Sequence, residues 1–322
     1  MHNNSLSFLN KKTLLLFIKI FIALVALFIL FHQVDMAKME KLINKIPLSL
    51  LLICITIELF RILLVSIRWK SLSYASPQFS IFDYFRLSLI GITGNLIMPG
   101  SLGGDGVRVA LVLEKVKEKT AHAIAIVFDR IIGLFSITLL AVFSLIFFET
   151  QGGENIYLIV SISSVLVFTL LIFIVISDVP YIILGHFFKK WNSLYSFFNK
   201  LKAGVSFYKN QPAIIIKAVI LSFFIHIISI IICYILSQRL EINCTFTTFM
   251  IIIPLVWIIT AIPLSLGGIG VREWSFVGLL SYQGVEAEKA VTLSLVLFLL
   301  TIITGLSGIP FIFNTKKSNI DY

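Results

Sequence analysis

Charge is scarce in this sequence. Asp, Glu, Lys and Arg together supply 13% of the 322 residues, against about 25% in a soluble globular domain, too little to keep a folded surface in water. With a mean hydropathy of +1.02, the chain reads as an integral membrane protein. Cysteine is scarcer still. Three residues form no even-numbered framework, and Cys54 and Cys233 lie in apolar runs, which argues for packing rather than disulfides and leaves the redox compartment open. The five histidines are scattered, with no H-E-x-x-H and no Cys/His ligand set, so neither a metal nor a cofactor is expected. His226, in the middle of an apolar run, reads as a packing or helix-bonding residue. A phosphate-binding P-loop is absent, and Val109 and Glu273 stand where a dinucleotide fingerprint would need its third glycine. No nucleophile and base can be paired from the sequence. The net charge of +10 comes from lysines clustered between apolar segments, where they set orientation and meet anionic lipid rather than nucleic acid.

What the chain does have is long apolar runs. A helix needs roughly 20 residues to cross about 30 Å of hydrocarbon, and six runs qualify: 13–31, 46–67, 121–148, 156–177, 213–237 and 287–313. The first lacks a small-residue cleavage site and reads as a retained helix. Residues 81–98 and 247–265 are also apolar, but each runs into a Pro and Gly motif and is followed by a stretch too short to cross alone. Each therefore reads as a hairpin that enters the membrane, breaks, and returns to the side it left. Loop charges fit this layout. Lys11 and Lys12 hold the N-terminus inside, Lys115, Lys117 and Lys119 follow the first hairpin, and the connection 178–212 carries five lysines, while the loop "ETQGGEN" has none. The second hairpin then opens outward, and Lys316 and Lys317 leave the C-terminus inside.

The two motifs are near copies. "PGSLGGDGVR" at 99–108 and "PLSLGGIGVR" at 263–272 agree at eight of ten places. Three crossings separate them, an odd number, so the second is upside down relative to the first. The expected architecture is an all-α polytopic membrane protein with about six full transmembrane helices plus two broken re-entrant hairpins. It forms one membrane domain over 1–322, in inverted halves of about 1–150 and 151–322. The aromatic and lysine-rich stretch at 178–212 has no counterpart and reads as a helix at the cytoplasmic interface or as a solvated linker. Inverted repeats with broken helices are an arrangement of secondary transporters, with the site at the repeat interface.

The motif glycines give the chemistry a place. Gly103, Gly104 and Gly106, with Gly267, Gly268 and Gly270, permit positive φ and close backbone approach, so one helix can end and another begin inside the membrane. A helix start offers N–H groups and partial positive charge, and Arg108 or Arg272 adds a full charge, a combination suited to phosphate. The competing reading is tight turns with arginines that snorkel to headgroups. Other ionisable residues also fall within the runs. Glu58 and Arg61 share a helix face and form a candidate supporting ion pair, whereas Asp129 and Arg130 point about 100° apart and take different partners. Arg130 joins Arg108 and Arg272 as a phosphate-type charge.

The chain resembles the lysylphosphatidylglycerol synthase transmembrane-region family, the flippase-like domain of the bacterial multiple peptide resistance factor and its stand-alone relatives. The resemblance rests on Arg68 and Trp69, "GNLIMPGSLGGDGVR", Asp129 with Arg130, and "PLSLGGIGVRE". It implies a multi-pass domain of a bacterial or archaeal cytoplasmic membrane that moves lipids or lipid-linked headgroups between leaflets. It also brings Asn95, Pro99, Asp105, Asp129, Pro263 and Glu273 into the candidate headgroup-binding set with the motif glycines and arginines. The cargo would be an anionic phospholipid, an aminoacylated phospholipid or a polyprenyl-phosphate-linked substrate, and a second copy or a separate lipid-modifying enzyme is a candidate partner. The synthase domain of the two-domain relatives is expected to be absent, so a transporter is favoured over an aminoacyltransferase. Two alternatives stay open: an embedded enzyme acting on lipid phosphates, for which Asp105 and Glu273 are the only candidate pair, and an accessory subunit for envelope lipid or glycan assembly.

Overall fold

The computed structural model describes residues 3–73, 79–97, 103–113, 119–147, 204–262 and 265–315, with isolated positions between 155 and 202. Among them there are helices and no strand, as a lipid environment requires when every backbone group must be satisfied within its own segment. Helix α1 (Asn3–Gln33) turns by 89° into the short α2 (Met36–Asn44). The turn is held by Asp35, whose carboxylate accepts the N–H groups of Ala37 at 2.9 Å and Lys38 at 3.2 Å. Four helical segments are long and apolar enough to cross a membrane: Leu48–Leu72, Ala121–Ile146, Pro212–Arg239 and Ala287–Phe313. They belong to α3 (Leu48–Leu72), α6 (Lys119–Phe147), α7 (Pro212–Arg239), and the pair α10 (Ala287–Leu306) and α11 (Ile309–Thr315). A fifth span is reached by taking the bent α1–α2 pair together. Of the expected crossing at 156–177, only 157–159, 162, 163, 165, 166 and 169 are described, all of them helical.

Between the spans stand two broken elements. Helix α4 (Ile81–Ile97) and α5 (Gly103–Leu113) form one, and α8 (Phe246–Ala261) and α9 (Val271–Ser281) the other. One end of the bundle gathers the α2 region, the loop after α7 and the loop before α10. There Lys38 pairs with Glu286 at 2.5 Å, Lys45 bonds Glu241 at 2.6 Å, and Lys289 donates to the Glu241 carbonyl at 2.9 Å. Tyr157 joins this end by donating its hydroxyl to the Leu279 carbonyl at 2.7 Å. The opposite end gathers the end of α3 and the starts of α4, α6 and α7. Tyr208 donates to the Leu72 carbonyl at 2.6 Å, the Phe79 and His122 rings lie 6.3 Å apart, and Phe82 meets Phe311 at 6.3 Å. The first hairpin starts beside Phe79 and returns with Val112 buried against Trp69 and Tyr84, whereas the second starts beside Tyr234 and returns to Tyr157. The two hairpins therefore open toward opposite ends.

Small residues let these pieces close. A Cβ at Gly305 would sit 2.5 Å from Leu96, and Thr93 donates to the Gly305 carbonyl at 2.6 Å, which draws α10 against α4. The main apolar core joins α7 to α10, with Phe249, Leu255, Phe276 and Leu293 buried at its centre. The last part of the 178–212 stretch is also packed inward. Residues 204–209 are helical, and Val205 and Tyr208 are buried with Leu72, Phe128 and Ala218. Residues 178–201 and 203 lie outside the described residues.

Candidate functional site

The first motif works by close approach. Its described glycines lie inside α5, and none of them has positive φ. Gly104 faces the backbone of Gly91 and Gly94 on α4, and its N–H donates to Asn95 Oδ1 at 2.7 Å. Gly106 is exposed, with open space where a side chain would go. Two residues on, Arg108 is buried at 5% exposure. Its stem crosses Gly91, where a Cβ would come within 2.7 Å, and its guanidinium stacks 4.8 Å from the ring centroid of Trp69. An arginine so placed does not snorkel to the interface.

The second motif works by backbone conformation. Gly267, Gly268 and Gly270 have φ of 57°, 78° and 83°, in the left-handed region open to glycine. The turn they make is closed by Glu273, which is fully buried and accepts the Gly270 N–H at 2.7 Å. The same carboxylate accepts from Arg272 through Nη2 at 2.5 Å and Nε at 3.0 Å, and from Ser294 at 3.1 Å. Arg272 also lies over Phe298, 4.4 Å from the ring centroid. The sequence suggested that both helix starts offer free N–H groups to a phosphate. At Gly104 and Gly270 the structure corrects this, because Asn95 and Glu273 already hold those donors. The shared pattern thus splits into a packing seam in one copy and a capped turn in the other.

The two broken regions touch. A Cβ at Gly267 would lie 3.9 Å from the Asn95 carbonyl. Beside this meeting point is a cavity of about 430 Å³, within the roughly 300–1,000 Å³ usual for ligand sites. Asn95, Arg108, Asp129, Arg130, Arg272, Glu58 and Arg61 all line it, so residues from both halves of the sequence converge there. Glu58 and Arg61 form the expected pair, at 2.7 and 2.5 Å. Asp129 and Arg130 diverge as expected, Asp129 being buried at 2% and Arg130 exposed. Gly104, Gly106, Gly267, Gly268, Gly270 and Glu273 are not among the cavity's lining residues, while Pro99, Pro263 and the side-chain positions of Gly103 and Asp105 lie outside the described residues.

Three wall residues were not singled out as site residues from the sequence. Arg68 is buried, donating to Asp129 at 2.8 Å and to Ser222 at 2.8 Å. Gly133 makes room for it, since a Cβ there would sit 3.3 Å from an Arg68 nitrogen. His226 bonds the Gly133 carbonyl at 3.1 Å and so fixes α7 to α6. A signal for Arg68 did exist, for it follows Arg61 by seven residues and shares its helix face. Gly133 and His226 carry no such signal. Among the described residues of the wall, five are arginine and two are carboxylates.

No curated protein and no solved structure matches the chain. One family model, described as the lysylphosphatidylglycerol synthase TM region, matches residues 16–308 and so takes in every cavity-lining residue described above. The chain belongs to the lysylphosphatidylglycerol synthase TM region family.

Proposed function

We propose that the chain binds the headgroup of an anionic phospholipid, or of a lipid-linked phosphate, in this cavity and carries it between leaflets. The observation that carries the reading is the lining itself: five guanidiniums and two carboxylates face one space among membrane-spanning helices. An arginine at the centre of a membrane helix costs about 2.5–3.5 kcal/mol on insertion scales, so such residues mark pathways and binding sites. The guanidinium fork matches phosphate oxygens two at a time. The opposite openings of the two hairpins support a reading as inverted repeats, in which the cavity is reached from one leaflet at a time. With lysine-rich loops on the cytoplasmic side, both termini are placed inside the cell.

The test is lipid movement by the purified full chain in liposomes, followed with tail-labelled phosphatidylglycerol. Replacing one charged hydrogen-bond donor typically removes about 1.5–3 kcal/mol, so Arg108→Ala and Arg272→Ala should each slow movement by tenfold or more. Lysine at either place should restore part of the rate, because an ammonium lacks the fork. Lys41→Ala, on the exposed side of α2, should leave the rate unchanged. Wild-type rates in both folded arginine-to-alanine variants would overturn the proposal.

A further inference from the structure

Three pairs of carboxylate and arginine stand in or behind the cavity wall, and they are not held alike. Asp129 takes Arg68, which is anchored a second time by Ser222 on α7. Glu273 accepts from Arg272, and it also accepts the Gly270 N–H and the Ser294 hydroxyl, so two donors remain when Arg272 leaves. Glu58 has no such reserve. Both of its oxygens are taken by Arg61, through Nε at 2.7 Å and Nη2 at 2.5 Å, and no other described residue donates to it. The pair is also the most open of the three. The Glu58 side chain is 13% and the Arg61 side chain 22% exposed, against 2% for Asp129 and 1% for Glu273.

A phosphate at this wall competes for the fork that Glu58 occupies, because two phosphate oxygens match Nε and Nη2 as a carboxylate does. Once Arg61 turns to the phosphate, Glu58 is a carboxylate without a partner among membrane helices. A carboxylate so placed takes up a proton rather than keep its charge. We infer that the chain moves one proton with each headgroup, and that Glu58 is the residue that holds it. On loading, the phosphodiester displaces the Glu58 carboxylate from Arg61, and Glu58 takes a proton from water on the open side. On release, the phosphodiester leaves Arg61, Glu58 gives that proton to water on the other side, and the pair reforms. One negative charge and one proton cross together, so the step is electroneutral. The other titratable or charged groups on the wall are His226 and Cys233 on α7, Asp129 and Arg130 on α6, Arg68 on α3, Arg108 on α5 and Arg272 on α9; among the described residues α4 and α10 present none. The inference rests on the proposed function, because it needs an anionic headgroup at the arginines.

The full chain in liposomes holding tail-labelled phosphatidylglycerol and a trapped pH dye tests it. A gradient of one pH unit should gather the label in the leaflet facing the more alkaline side, up to about tenfold for one proton per lipid. Lipid movement should acidify that compartment, and an imposed membrane potential should leave the distribution unchanged. Glu58→Gln, neutral and of the same shape, should move lipid without protons, with a distribution that follows voltage instead of pH. His226→Gln and Cys233→Ala should keep the response to pH, whatever their rates. A measurement that needs no variant is proton uptake by the wild-type chain in unbuffered detergent, about one for each phosphatidylglycerol bound. Wild-type movement indifferent to the pH gradient, no proton uptake on binding, or a response to pH that survives Glu58→Gln or vanishes in folded His226→Gln would overturn the inference and leave headgroup transport standing. No lipid movement by the wild-type chain would overturn the proposed function and this inference with it.

Discussion

Two glycines of the first motif, two residues apart on α5, should respond in opposite ways to the same substitution. Gly104 faces α4 so closely that an added Cβ would lie 1.9 Å from the Gly91 carbonyl oxygen and 2.8 Å from the Asn95 side chain. Ordinary contact starts at 3.4 Å, so Gly104→Ala must push α4 and α5 apart by about 1.5 Å. Overpacking of this kind costs about 1–3 kcal/mol. Disturbing the Gly104 N–H to Asn95 bond adds about 1 kcal/mol. The sum is a loss of about 2–4 kcal/mol. Gly106 has nothing within 4 Å of its added Cβ, and alanine is the better helix former by about 0.5–1 kcal/mol. Gly106→Ala should therefore match or exceed the wild-type stability. Unfolding in detergent, followed by tryptophan fluorescence and by retention of the monodisperse peak on gel filtration, reads both variants side by side. Comparable losses in the two, or a Gly104→Ala variant as stable as wild type, would refute the packing seam and with it the placement of Arg108 beneath Trp69.

The buried Arg68 and Asp129 pair gives a second test. Asp129→Asn strands a guanidinium and should cost about 3–5 kcal/mol, whereas the Arg68→Met, Asp129→Leu double variant should recover most of that loss; thermal stability in detergent measures both, and a double variant less stable than the single would contradict the pairing. Topology gives a third. A cysteine replacing the exposed Met36 should react with an impermeant reagent added to whole cells, and one replacing Gln211, at the other end of the bundle, should react only after permeabilisation. The reverse pattern would place the lysine-rich loops outside and overturn the proposed orientation.

The spans were legible because lipid imposes one simple rule: a long apolar run must be a helix that crosses. The breaks were legible as well, since Pro and Gly in the middle of an apolar run have few other uses there. The cavity was legible in part. Arg108, Arg130 and Arg272 stand out in the sequence because charge inside a membrane is rare, and all three reach the wall. What the sequence hides is which acceptor answers each donor. Asn95 reaches Gly104 from the preceding helix, and Arg68 finds Asp129 from 61 positions away. Those partners depend on how helices cross, and no local spacing encodes a crossing. The near-identical spelling of the two motifs even misleads. Val109 and Glu273 occupy the next position in each copy, and that single difference decides whether the turn can cap itself.

Self-capping at Glu273 bears on how the chain is made. Its carboxylate takes donors from Gly270 and Arg272, which precede it, and from Ser294, which lies 21 residues after it on α10. During synthesis the first two are present as soon as α9 emerges, so a positive and a negative charge enter the bilayer already joined, as a unit without net charge. Ser294 arrives only with the last span. Without Ser294 the turn would be closed but one acceptor position on Glu273 would still be open. The hydroxyl of a serine on α10 thus completes a turn begun by three glycines.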